Sequence, residues 1–126
     1  MNTKILMSSS AITFGILGVV LSFLPQEINS LIGGSATNTL FLQLMGALYI
    51  GFAMLNWTAK GNSIGGIYSR PLVIGNFSHF LIGALALSKE SSISNNIYLV
   101  YGGLIVYSIF ALLFGFTLFT NPISKK

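Results

Sequence analysis

The stretch IYLVYGGLIVYSIFALLFGFTLF, Ile97 to Phe119, contains no charged side chain. A bilayer hydrocarbon core of about 30 Å requires about 20 apolar residues in a helix, and this stretch is long enough. Three others read the same way. One runs from Ile5 to Leu24 and is closed by Pro25. A second runs from Thr39 to Trp57. The third runs from Pro71 to Leu87, with Pro71 at a first helical turn, where its missing N–H is harmless. Four such helices take about 80 positions of the 126 in the chain, which leaves short loops and no further domain. The expected fold class is therefore all-α: one domain over residues 1–126, an integral membrane four-helix bundle.

Composition agrees. The chain is 53% hydrophobic and 6% charged, with a mean hydropathy of +0.82. A soluble domain carries about 25% charged residues, so the expected surroundings of this chain are lipid. Six basic and two acidic residues give a net charge of +4. The basic residues sit at segment ends, where they orient a membrane protein, and no nucleic-acid partner is expected. Threading four helices puts Lys4, Lys60, Arg70, Lys125 and Lys126 on one side and Lys89 on the other. Both termini are then expected in the cytoplasm, of a bacterial inner (plasma) membrane. Lys4 before an apolar run resembles a signal peptide, but the run is long and no small-x-small cleavage site follows, so an uncleaved helix is expected.

The missing residue types exclude much chemistry. Without cysteine there is no disulfide, thiol redox centre or cysteine nucleophile. One histidine does not make a zinc site, which takes three or four protein ligands. Without aspartate there is no Ser–His–Asp set. Glu27 and Glu90 both lie outside the apolar segments, so a carboxylate-driven antiporter lacks its carboxylate. No catalytic residue, metal or cofactor is expected, and the chain is read as a non-enzyme. Asn56-Trp57-Thr58 and Asn76-Phe77-Ser78 match the glycosylation pattern but lie against the bilayer and are read as chance matches.

Membrane helices associate through small residues that let backbones approach. Ala11, Gly15, Gly18 and Ser22 share one face of the first segment. Ala47 and Gly51, with Gly46 beside them, serve the second. Gly75, Gly83 and Ala86 serve the third, and Gly102, Ser108 and Gly115 the fourth. These stripes are read as bundle packing, with a homodimer interface as the alternative. Trp57, Tyr68, Tyr98 and Tyr101 are read as interfacial aromatic belts, Phe110 and Phe114 as lipid-facing bulk or interfacial anchors, and Ser30 to Gly34 as a short interfacial turn.

Polar side chains inside a bilayer face the bundle interior, a cavity or a partner. Gln43, Asn56, Asn76 and His79 are the candidates. Asn76 and His79, three apart, share a face. A short loop joins the second and third segments, so Asn56, Trp57, Arg70, Asn76 and His79 are expected in one cytoplasmic-side layer, the candidate ligand site. Arg70 suits a phosphate or carboxylate headgroup, His79 a hydrogen bond or a proton, and Trp57 a ring or lipid tail. The alternative is that these residues only tie helices together and that Arg70 snorkels.

The run Leu42-Gln43-Leu44-Met45-Gly46-Ala47-Leu48-Tyr49-Ile50-Gly51-Phe52, followed by Asn56-Trp57, Arg70-Pro71, Asn76 and His79-Phe80, resembles small uncharacterised bacterial four-helix membrane proteins of the DoxX-like kind. The resemblance implies a four-helix bundle and an accessory role beside a larger membrane complex. It carries no catalytic residue onto this chain. Three functions follow as expectations: an accessory or scaffold subunit, with the bilayer and a larger membrane protein or a second copy as partners; a binder of a lipid or quinone; or a small transporter. For the last, Leu81 to Leu87 lacks any ionisable group, so a single-chain pathway is poor.

Overall fold

The computed structural model describes residues 2–32, 39–61, 69–90 and 97–120. Among them are five helices and no strand: α1 (Thr3–Phe23), α2 (Pro25–Leu31), α3 (Thr39–Ala59), α4 (Arg70–Glu90) and α5 (Ile97–Phe119). Four of them, α1, α3, α4 and α5, are long and apolar enough to cross a membrane, and they fall where the apolar segments were expected. Gly33 and Gly34 of the expected turn, Gly65, Gly66, Tyr68, the Ser/Asn-rich residues 91–96, Pro122 and the Lys125-Lys126 pair lie outside the described residues.

The stretch after α1 differs from expectation. Pro25 does more than close α1: it opens α2 one residue later. Its fixed φ is preset for a helix, and Ile28 N–H donates back to the Leu24 carbonyl at 3.1 Å. Glu27 sits in the first turn, where the helix dipole favours an acidic group. Ile32 N–H closes the far end on the Ile28 carbonyl at 3.0 Å.

The chain forms two compact units, one of residues 7–60 and one of residues 61–126 with 1–6. In the first, α1 and α3 run antiparallel and pack through small residues. A Cβ added at Gly18 would lie 2.9 Å from the Gly46 carbonyl oxygen and 2.9 Å from Ile50 N, and one added at Gly46 would lie 2.8 Å from Ser22 N. Real Cβ contacts are never that short, so only glycine fits. Gly15 approaches Ala53 and Ala11 is buried, so the whole expected stripe of α1 faces inward. Phe14, fully buried, fills the space beside it, 5.5 Å from Tyr49 and 5.3 Å from Phe52 between ring centres. On α3 the packing residue is Gly46; Ala47 and Gly51 face outward.

In the second unit α4 and α5 run antiparallel around an aromatic stack. Phe80, fully buried, stacks on Phe110 at 4.8 Å and on Phe114 at 5.8 Å. The expectation that Phe110 and Phe114 face lipid is corrected here: Phe114 is 0% exposed and Phe110 8%. The reason is that they lie one helical turn apart on α5, so both rings reach Phe80 from the same face. Gly83 receives the Tyr107 ring, Gly115 the Phe77 ring and Gly103 the Leu87 side chain. Among the described residues Gly75, Ala86 and Gly102 take no part in such packing: Ala86 is exposed, and no described atom lies within 4 Å of a Cβ at Gly75 or Gly102.

These contacts predict opposite outcomes for two glycines. Gly18→Ala forces α1 from α3 and should destabilise the protein by ~1–3 kcal/mol, the cost of overpacking. Gly102→Ala meets open space and should be neutral or stabilising by up to ~1 kcal/mol through helix propensity. Thermal unfolding in detergent checks both; equal effects would contradict the close approach at Gly18.

Candidate functional site

The candidate residues divide between the two units: Asn56 and Trp57 in the first, Arg70, Asn76 and His79 in the second.

Asn56 and Trp57 are adjacent in α3 and therefore point about 100° apart. Asn56 is fully buried. Its Nδ2 donates to Ser10 Oγ at 3.0 Å, and Ser10 Oγ donates to the Met7 carbonyl at 3.0 Å. Two fully buried polar side chains thus satisfy each other across the α1–α3 contact. Trp57 is exposed, and Lys60 Nζ stands 2.8 Å from its ring centre. A cation over an indole face is attracted by the ring quadrupole. Spacing i, i+3 brings Lys60 to the Trp57 side of the helix.

Arg70 is exposed at the first position of α4. Asn76 is fully buried, and its Nδ2 donates to the carbonyl of Leu72, one turn earlier, at 2.9 Å. His79 is half-buried, with Nε2 3.3 Å from the Tyr107 hydroxyl of α5. Gly83 makes that contact possible. It lies one turn beyond His79 on the same face, and a Cβ there would come within 2.5 Å of Tyr107 Cδ1. With no Cβ, the Tyr107 ring lies against the α4 backbone and its hydroxyl reaches His79. Phe80 completes the setting, edge-on to Tyr107 at 5.2 Å and to His79 at 5.5 Å.

Ser10, Lys60 and Tyr107 were missed at the level of sequence. Tyr107 carried a signal: a phenol in the middle of an apolar helix must find a hydrogen-bond partner. Ser10, the last of three consecutive serines, did not stand out from Ser8 and Ser9. Several other hydroxyls are satisfied by carbonyls one turn earlier in the chain. Thr13 donates to the Ser9 carbonyl, Thr58 to that of Met54, Thr117 to that of Leu113, and Thr120 to that of Phe116.

In the structure Asn56 with Ser10 links α3 to α1 and His79 with Tyr107 links α4 to α5, while Asn76 bonds within its own helix. Interhelical hydrogen bonds in membrane proteins contribute about 0.6 kcal/mol on average and up to about 2. Ser10→Ala and Asn56→Leu should each lower stability by ~0.6–2 kcal/mol, while the double variant should lose less than the sum. Strict additivity in thermal unfolding would mean the two side chains do not interact. Comparison of the chain with family models, curated proteins and solved structures found no match, so these contacts are the basis for a functional reading.

Proposed function

We propose that the chain is a non-enzymatic, multi-pass protein of a bacterial inner membrane, both termini cytoplasmic, that serves as an accessory or scaffold subunit of a larger membrane complex. The observation that carries this reading is the use of the polar groups within the apolar spans. Asn56 engages Ser10, Asn76 engages its own helix, and His79 engages Tyr107. Each contact supports a helix or a helix pair.

Bilayer insertion is supported by the outer faces of the four long helices. Ile12 and Ile16 on α1, Leu40 and Leu44 on α3, Ile82 and Leu85 on α4, and Leu112 and Phe116 on α5 are all exposed. In water each such side chain forgoes about 1.5–3 kcal/mol of burial; in lipid it does not. Orientation is supported by Lys4, Lys60 and Arg70 at one end of successive spans and Lys89 at the other. The resemblance to DoxX-like proteins implies the same accessory role.

Because the chain lacks cysteine, single introduced cysteines report topology without background. Lys4→Cys and Lys60→Cys should react with an impermeant maleimide only from the cytoplasmic face, and Lys89→Cys only from the outer face. The reverse pattern would overturn the orientation, and recovery of the protein in the soluble fraction after an alkaline wash would overturn insertion. A tagged chain drawn from mild detergent should bring a second membrane protein in fixed ratio; recovery of the chain alone would count against the accessory role.

A second reading, a binder of a lipid or quinone, is favoured by the exposure of Trp57, with Lys60 over its ring. Native mass spectrometry should then show a discrete adduct that Trp57→Ala loses. Full occupancy in that variant would remove this reading.

A further inference from the structure

The α3 helix buries Gly46, Tyr49, Ala53 and Asn56. Gln43, Ala47 and Gly51, spaced four apart, share a different face, and all three are exposed. Among the described residues, nothing lies within 4 Å of a Cβ placed at Gly51. Leu40, Leu44, Met54 and Thr58, also exposed, extend this face along the helix. Positions 40, 44, 47, 51, 54 and 58 alternate steps of four and three, the spacing of a seam between two packed helices.

Gln43 gives this face a requirement that small residues alone do not. It lies one turn inside α3, about 6 Å along the axis from Thr39, and thus within the apolar span. Among the described residues, no hydrogen bond joins its side-chain amide to another group. An amide in lipid is favoured by a partner that offers both a donor and an acceptor.

We propose that the Gln43–Ala47–Gly51 face of α3 docks a second copy of this chain, with the two Gln43 amides hydrogen-bonded to each other across a two-fold axis. A primary amide carries its donors and its acceptor on one group, so it satisfies an identical amide. A two-fold interface requires such a self-complementary patch. The face carries no charge that would favour a partner of opposite sign. Ala47 and Gly51 permit the close approach that brings the amides together. The inference rests on the bilayer reading above, since in water Gln43 would be solvated.

The test is disulfide cross-linking of the full chain in native membrane vesicles washed with alkaline carbonate. Retention in the washed pellet reports insertion; the cross-link reports the interface. Ala47→Cys and Gly51→Cys should each give a species of twice the chain mass under mild oxidant. Ile12→Cys on α1 and Leu112→Cys on α5, exposed on other helices, should not. Adding Gln43→Leu to Gly51→Cys should lower the cross-linked fraction by about threefold or more, as expected for loss of one intramembrane hydrogen bond, and Gln43→Asn should preserve it. A pellet-retained chain that stays monomeric overturns the interface alone. So does one that cross-links equally at the control positions, or that joins a different protein at residues 47 and 51. Loss from the pellet overturns the bilayer reading on which it rests.

Discussion

The contact on which the first half of the chain depends is the approach of two backbones at Gly18 and Gly46. No side chain separates α1 from α3 there. That distance determines whether anything farther along the pair can meet. Ser10 lies about 12 Å along α1 from Gly18, yet its short hydroxyl reaches the Asn56 amide. A wider pair would leave both groups buried and apart, which is the most unfavourable arrangement for polar atoms. The Phe14 ring, against Tyr49 and Phe52, fills the volume between the glycine contact and the polar one.

The α4–α5 pair uses a different solution. Large rings occupy the interface, and glycines appear where a ring must lie against a backbone: Tyr107 on Gly83 and Phe77 on Gly115. Edge-to-face and offset ring pairs contribute about 0.5–1.5 kcal/mol beyond their buried area, so Phe80, Phe110, Phe114 and Tyr107 form a cohesive centre without small-residue contact along the whole helix. The polar link of this pair, His79 to Tyr107, is placed by the same glycine that admits the ring.

How far the sequence could be read depended on what each property measures. The four long apolar helices were legible because length and scarcity of charge are properties of each segment alone. The inward stripe of α1 was legible because its small residues stand out against bulky neighbours. Phe110 and Phe114 were misjudged because α5 is apolar on every side, so composition does not distinguish a core face from a lipid face. Asn56 and His79 were recognisable as polar residues needing partners, but those partners are set by α1 and α5, at sequence distances that no local pattern reports. Helix α2 was hidden because Pro25 reads equally as the end of one helix and the start of the next.

The hydroxyls bonded to carbonyls of their own helices bear on how the chain is made. Thr13, Thr58 and Thr117 each fold back onto their own helix, so their helices need no neighbour on account of them during synthesis. Asn56 and His79 differ, because each reaches a group on another helix. Ser10 precedes Asn56 in the chain, so α3 finds its partner already present when it leaves the ribosome. Tyr107 follows His79, so α4 is complete before its partner exists. The His79–Tyr107 contact therefore forms only after α5 has been made.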